Sequence, residues 1–364
     1  MRIIIPVLGF AAAGGYRVLS ELANQWVLKG HDVAFLTPDG EAPPTFPTTA
    51  AVLAVSDNGE IGEPGQQRPP RSLHGIRKLL ALYRGLNIVG REYDIILANH
   101  SFTPWAIAAA RTGKAKPFYY IQAYEPEYFE LEKQWLNWLV ARGSYFLPLV
   151  QLANTHVYGH HAGVRPVAIV PAGIDLAVYH PKAHRRVFED GNDIVLGCIG
   201  RREPSKGTQY VLEAFAQLAA SDSRYRLRVA YGNLPEGWSH PRCDIMVPAN
   251  DHELAAFYRS VDIMVAPGTV QHGAPHYPVI EAMASGTPVV TTGYLPADAA
   301  NSWLVANRDS AAVAAGIAAI VADPDYGFRV DRALEAVQAL SWPAVAATML
   351  AAFDRALDTG PAAS

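Results

Sequence analysis

Two cations and one acid stand where the chain could do chemistry. In "GCIGRREPSKG", residues 197–207, a β-rich run ends at Gly200, Arg201 and Arg202 follow at once, and Lys206 opens a helical pattern. The carboxyl ends of strands in open α/β sheets are where ligands bind. An arginine fork paired with a lysine point charge suits a diphosphate there; a solvated loop with ordinary surface cations is the plainer alternative. The acid lies in "GAPHYPVIEAMASGTPVVTT", residues 273–292, where Glu281 is the one carboxylate among apolar or small residues. A core acid without a partner is costly, and its own stretch offers none. Pro278 suits the first turn of a helix. The amides of Val279 and Ile280 are then expected as donors to phosphate oxygens, with Glu281 accepting hydrogen bonds from a ribose diol. Complementing the helix dipole, worth about 0.3–1 kcal/mol, is its alternative role.

Other candidates carry less. Gly14-Gly15 falls between the first strand and the first helix, where glycine lets a ligand approach the backbone and the helix start favours an anion. The spacing is not G-x-G-x-x-G, so no dinucleotide fingerprint is present, and a tight turn explains the pair equally well. His100, in "ILANHSFTP", follows a strand and is a candidate acceptor contact, whereas His156, His160 and His161 read as structural residues of a helix or turn. Asp323-Pro324-Asp325 has the form of a D-x-D metal motif but reads as a surface turn between helices; no metal and no cofactor is expected. Residues 68–91 hold six Lys/Arg and no Asp or Glu, interleaved with Leu79, Leu80, Leu82 and Tyr83. Such a basic amphipathic helix either lies on anionic lipid, binds a phosphorylated acceptor or simply shows water a charged face.

The elements that must position these residues form two α/β series. RIIIPVLGF, the helical spacing of Val18, Leu19, Leu22, Ala23 and Trp26, and the strand from His31 to Leu36 begin the first. Strand-like runs follow at Asp94–Ala98, Phe118–Gln122, Leu149–Ala153 and Val167–Pro171, while residues 40–49 and 57–70 read as exposed loops. The pattern restarts with a strand at Ile194–Ile199, a helix from about Lys206 to Ala219, and strands at Arg226–Tyr231, Ile245–Val247 and Ile263–Ala266. Strands alternating with helices imply doubly wound parallel sheets. The chain length suits two domains, and Ser341-Trp342 through Leu357 adds a final amphipathic helix. A net charge of −4 gives no general pull toward nucleic acid. Cys198 and Cys243 are expected as buried free thiols of a reducing cytosol. No apolar run approaches the length of a membrane span, and the N-terminus lacks a secretory layout. A cytoplasmic chain is expected, free or peripheral at the inner face of the membrane.

A glycine-rich first turn, "PAGIDLAVYHP" at 171–181, "GRREPSKG" at 200–207, "VPANDHELAAFYRSVDIMVAPG" at 247–268 and "HYPVIEAMASGTPVV" at 276–290 follow one another in an order that resembles the GT-B glycosyltransferases of family 4. The resemblance covers essentially the whole chain and is stronger in the second half. It implies two Rossmann-like domains, an acceptor-side domain at 1–172 and a nucleotide-sugar domain at 173–340, with 341–364 crossing back onto the first. It also implies metal-independent sugar transfer with retention of configuration from a nucleotide diphosphate donor. By the same resemblance Arg201 and Lys206 match the pair on the donor diphosphate, and Glu281 matches the second acid of the family's E-x7-E motif, the one on the ribose. The Gly14-Gly15 turn and the stretch around His276, Tyr277, Val279 and Ile280 fall on the donor side, and the backbone near Met246-Val247 would face the base.

Two departures stand out. The first E-x7-E acid falls at Gly273, and His276 stands where the motif has a small glycine. The sugar is then held by other groups, such as His272 or His276, or has fewer hydroxyls, as a deoxysugar does. The family's strand-ending histidine is also absent: "YYIQAYEPEYFE", 119–130, has Gln122 ending the strand and Glu125 after it, which is similar to a subgroup of polysaccharide rhamnosyltransferases. Arg201, Lys206, Gln122 and Glu125 are therefore the expected catalytic set, acting on a glycan or lipid-linked glycan acceptor. The rival expectations are a sugar-nucleotide epimerase on the same fold and a non-catalytic sugar-nucleotide-binding protein.

Overall fold

The computed structural model describes residues 1–11, 13–63, 75–188, 191–270 and 272–358. The chain forms two units, one of Met1–Gly173 with the stretch from Trp342 onward, the other of Ile174–Ser341.

The first unit contains β1 (Arg2–Pro6), α1 (Gly14–Leu28), β2 (Asp32–Pro38), β3 (Ala51–Val55), β4 (Ile61–Gly62), α2 (Ile76–Val89), β5 (Ile95–Ala98), α3 (Thr103–Ala109), β6 (Lys116–Ile121), α4 (Leu131–Ser144), β7 (Val150–Ala153) and β8 (Ala168–Ile169). They build one sheet in the order β4-β3-β2-β1-β5-β6-β7-β8. Every pair is parallel except β3 with β4. Ile3, Ile4 and Ile5 are all fully buried, as expected of a central parallel strand covered on both faces. The crossover from β1 to β2 runs one way along the sheet, and those from β3 through β5, β6 and β7 run the other. Right-handed connections therefore put α1 on one face and α2, α3 and α4 on the opposite one. Trp105 of α3 ties into α4 by donating from Nε1 to Val140 O at 3.1 Å.

The second unit contains β9 (Ile194–Ile199), α5 (Thr208–Ser221), β10 (Tyr225–Ala230), β11 (Cys243–Met246), α6 (Asp251–Ser260), β12 (Ile263–Ala266), α7 (Tyr277–Ala284), β13 (Val289–Thr291), β14 (Trp303–Leu304), α8 (Ser310–Ala322) and α9 (Gly327–Gln338). Its six strands run β11-β10-β9-β12-β13-β14, all parallel. The last helix, α10 (Trp342–Asp358), belongs to the first unit. Phe353 packs edge-on to Phe118 at 4.7 Å, and Trp26 Nε1 donates to Ala346 O at 3.3 Å. A Cβ on Gly173 would lie 2.1 Å from the Trp342 ring, so the chain can pass only as glycine there.

Two doubly wound parallel sheets are the fold expected from the sequence. The residue pattern predicts neither β3 nor α4. The helix expected from Lys206 begins at Thr208, because Pro204–Lys206 form a 3₁₀ turn closed by Gly207 at φ 76°. Cys198 is buried as expected, whereas Cys243 is half-buried because β11 is an edge strand. Asp323 and Asp325 lie between α8 and α9, where the Asp323 carboxylate accepts from the Asp325 amide at 2.9 Å. Among the described residues no single helix is long and apolar enough to cross a membrane.

Candidate active site

In the second unit the loop after β9 carries both expected cations. Gly200 is required there, since a Cβ would sit 1.6 Å from Gly232 O, and one on Gly207 would meet Pro267 O at 2.1 Å. Thr208, the first residue of α5, pins the loop from both sides. Its hydroxyl donates to Arg201 O at 2.9 Å and accepts from Arg201 N at 3.1 Å. Thr269 N donates to Ser205 O at 2.8 Å, so the segment between the two cations is held as well. Lys206 lies on the exposed rim. Partial loss of hydration first, and then the charge of Arg201, lower its ammonium pKa. A pocket of about 430 Å³ opens beside this loop, lined by Arg201, Arg202, Thr208, Asn233 and Glu236 among others.

Glu281 is 4% exposed and is not unpartnered. Tyr258 of α6, itself fully buried, donates its hydroxyl to Glu281 Oε2 at 2.8 Å. Burial, and then the Glu281 charge, push the Tyr258 phenol well above its ordinary range, so it remains a donor. The two residues are 23 positions apart, and no local spacing announces the pair. A second expectation is corrected here. The amides of Val279 and Ile280 are not available to phosphate, because they donate to His276 O at 3.0 and 3.1 Å. The physical reason is that His276 is the N-cap residue, whose carbonyl takes the first helical bonds. Tyr277 and Pro278 then occupy the positions whose N–H would project from the helix start, and proline has none.

His276 joins the cationic cluster electrostatically. Burial, followed by the charges of Lys206 and Arg201, takes its pKa down to about 3, so the imidazole is neutral at neutral pH. Its Nδ1 is buried with no hydrogen-bond partner among the described residues. His272 is committed elsewhere, with Nε2 at 3.1 Å from Gly268 O and its ring edge-on to Tyr294. Gly273, where the family's acid is missing, has φ +81° and donates its amide to Gly293 O at 2.9 Å. An L side chain is strained in that left-handed conformation. A carboxylate side chain introduced at this position would carry that strain. Met246 ends β11, and its carbonyl accepts from Tyr231 N at 2.8 Å; Val247 next to it is exposed.

In the first unit the expected residues gather at the carboxyl edge of β1, β5 and β6. Gly14 and Gly15 are the first residues of α1 rather than a separate turn. Gln122 Nε2 donates to Gly15 O at 3.2 Å, while Gln122 O accepts from Asn154 Nδ2 at 2.9 Å. Glu125 accepts from Ser101 N at 3.0 Å and from Ser101 Oγ at 2.6 Å, and lies 3.6 Å from His100 Nε2. The Phe102 amide donates to His100 Nδ1 at 3.2 Å, which fixes the proton on Nε2, facing Glu125. Sequence reasoning missed the neighbouring pair of Lys78 and Glu41, whose Nζ and Oε1 are 2.7 Å apart, with Lys78 also donating to Leu8 O at 3.0 Å. Tyr16 belongs to the same cluster: burial and then the charges of Glu125 and Glu41 raise its phenol to about 12. His161 stacks flat on Tyr124 at 3.4 Å, and His160 pairs through Nδ1 with Val157 O within the turn His156–His160. Among the described residues no group of three or more His, Cys, Asp or Glu side chains could hold a metal ion.

Comparison with known proteins bears on the family and the fold. Residues 12–178 match the family model described as Glycosyltransferase Family 4, and residues 193–323 match that of Glycosyl transferases group 1. The D-inositol 3-phosphate glycosyltransferase of Corynebacterium efficiens is 28% identical over 227 residues, 54% of this chain and 53% of that protein. The chain thus spans about half the length of the curated relatives it matches. Sucrose-phosphate synthase from Thermosynechococcus elongatus superposes with a TM-score of 0.75 at 18% identity, over 99% of this chain and 100% of that one. Anabaena HepE, solved in complex with UDP-glucose, does so with 0.70 at 15% identity, over 98% and 100%. At these identities the solved structures speak for the fold, and the two family models, which between them match most of both units, identify the chain as a GT-B glycosyltransferase of the family 4 type.

Proposed function

We propose that the protein transfers a sugar from a nucleotide diphosphate donor to a hydroxyl of a glycan or lipid-linked glycan, with retention of configuration. The observation that carries this is the Arg201, Lys206 and His276 cluster beside the buried Glu281–Tyr258 pair. Arg201 and Lys206 take the donor diphosphate and stabilise charge as the bond between the anomeric carbon and the diphosphate oxygen breaks. The acceptor oxygen bonds that carbon on the same face, and its proton passes to the departing diphosphate. Such internal return needs no protein nucleophile. Glu281, oriented by Tyr258, accepts from the ribose. His276, neutral and with an unused Nδ1, replaces the carboxylate absent at Gly273 as a partner for the sugar or the phosphate. A deoxysugar such as rhamnose, having fewer hydroxyls to hold, fits that substitution.

Gln122 and Glu125 act as positioning residues in this proposal. Gln122 holds the start of α1 through Gly15, and Glu125 orients His100 toward the acceptor. Charge on the leaving group is met by the two cations, so the chemistry calls for no metal.

Thermal-shift titration with UDP, GDP and dTDP tests the donor assignment, because a nucleotide that binds the native state raises its apparent stability. Stabilisation by one of them in wild type, lost in Arg201→Ala, is expected; no stabilisation by any nucleotide sinks the proposal. Product analysis with donor alone separates transfer from epimerisation, since an epimerase converts the donor with no acceptor present.

A further inference from the structure

We propose that Glu41 selects the acceptor: by taking the charge of Lys78 it turns phosphorylated molecules away from the first unit and leaves a site for a neutral, hydroxyl-rich sugar. The inference rests on the reading that this unit holds the acceptor. Lys78 stands in the first turn of α2, and its Nζ lies 2.7 Å from Glu41 Oε1. Both side chains are largely buried, at 22% and 14% exposed, and Lys78 also donates to Leu8 O at 3.0 Å. A lysine without such a partner is a ready phosphate ligand. The pair is built into the turn after β1. A Cβ on Gly9, where φ is +136°, would overlap Glu41 Oε2, so glycine there is what lets the carboxylate lie against the turn.

The rest of this carboxyl edge is rich in hydrogen-bond acceptors. Glu125 supplies a second carboxylate beside His100. Asn99, the residue after β5, and Asn154, the residue after β7, each leave a buried Oδ1 with no hydrogen-bond partner among the described residues. For Asn154 the oxygen is fixed as such, because Nδ2 donates to Gln122 O. Buried polar atoms are normally paired, and what these oxygens lack is a donor. Sugar hydroxyls donate as well as accept. A phosphate monoester dianion only accepts, and it would meet Glu41 and Glu125, two groups of its own sign. Specificity of this kind comes from repelling the wrong partner as much as from holding the right one.

The basic stretch singled out in the sequence, 68–91, offered a phosphorylated acceptor as one of its uses. Residues 68–74 lie outside the described residues. Of the cations on α2, Arg77 and Arg84 are exposed, and Lys78 is the one that turns inward. It is also the one matched by an acid. The Lys78–Glu41 pair is neutral with both members present, positive without Glu41 and negative without Lys78. Substitution of either residue therefore sets the charge that an acceptor meets.

The test varies that charge in the full chain and reads phosphate. In an Arg201→Ala/Lys206→Ala background, which removes the two cations of the second unit, inorganic phosphate should raise the melting temperature no more than chloride of equal ionic strength. Adding Glu41→Gln should create stabilisation by phosphate, a gain of at least about tenfold in affinity. Glu41→Gln/Lys78→Gln leaves neither charge behind and should abolish that gain. A second readout is nucleotide release from the nucleotide sugar whose nucleotide stabilises wild type. The acceptors are methyl α-glucoside against glucose 6-phosphate, and methyl α-mannoside against mannose 6-phosphate. Wild type should favour the neutral member by at least about tenfold in kcat/KM, and Glu41→Gln should shrink that preference about tenfold, through KM. Lys78→Gln leaves the acid unmatched and should sharpen the preference, which keeps the proposal testable where Glu41→Gln does not fold. A phosphate response that Glu41→Gln leaves unchanged overturns the proposal, and so does a wild-type preference for either 6-phosphate. The phosphate experiment needs no donor. Failure of the glycosyl-transfer reading shows separately, as absence of nucleotide stabilisation in wild type.

Discussion

Replacing Tyr258 by phenylalanine is the sharpest test of what Glu281 is for. The substitution removes one oxygen from a fully buried ring and leaves the packing of α6 on α7 intact. What it deletes is the 2.8 Å bond to Glu281 Oε2. A hydrogen bond to a charged group is worth about 1.5–3 kcal/mol, and an abandoned buried acceptor bears the desolvation cost as well. For a unit the size of Ile174–Ser341, each kcal/mol moves the midpoint by about 2–4 °C, so Tyr258→Phe should melt about 3–12 °C below wild type. The carboxylate should also lose its fixed orientation. The stabilisation that a nucleoside diphosphate confers should shrink by about 1.4 kcal/mol, a tenfold loss of affinity. Wild type should distinguish a ribonucleotide from its 2′-deoxy analogue, and Tyr258→Phe should distinguish them less. Differential scanning fluorimetry with and without the two nucleotides reads all of these quantities. A variant that melts within about 1 °C of wild type and keeps the full ribose preference would refute both the pairing energy and the ribose assignment.

Arg201→Ala and Lys206→Ala should each lower turnover by about 10²-fold or more, as loss of one preorganised group on a developing charge does; equal rates in steady-state assays would remove both from the site. The pH dependence of stability should carry the mark of His276. Its folded-state pKa of about 3 lies below the ordinary value of about 6.5, so between these pH values the unfolded chain binds the additional proton. Its contribution is complete above about pH 6.5 and is lost as pH falls toward 3, with a slope of at most about 1.4 kcal/mol per unit. Denaturant melts of wild type and His276→Gln across that range should differ in slope. Restoring the missing acid as Gly273→Glu should cost about 1–2 kcal/mol, because φ is +81° there; a melt at wild-type temperature would show that the loop relaxes.

The parts of this molecule legible in the sequence are those whose cause is local. The apolar runs of β1, β5, β9 and β12 and the helical spacing of α1 and α5 each follow from a handful of consecutive residues. So do the two cations, because glycine, strand end and helix start lie together within 197–207. What could not be read is non-local or depends on backbone geometry. Tyr258 meets Glu281 only once α6 packs against α7, and Lys78 meets Glu41 only once α2 has crossed the sheet. The Val279 and Ile280 amides read as available because a proline at the helix start suggests free donors. Which carbonyl caps the helix depends on where its first turn closes, and residue spacing alone cannot distinguish His276 from its neighbours in that role. Helix α4 escapes for the opposite reason. Helical periodicity is recognised by a polar face opposing an apolar one, and the LEKQWLNWLVARGS segment mixes the two around most of its circumference. A sequence that does not separate its faces gives no core-facing pattern, and here a break at Gln134 interrupts the helix as well. The candidate site, built from strand ends and helix starts, is for the same reason the part of the molecule most open to reading.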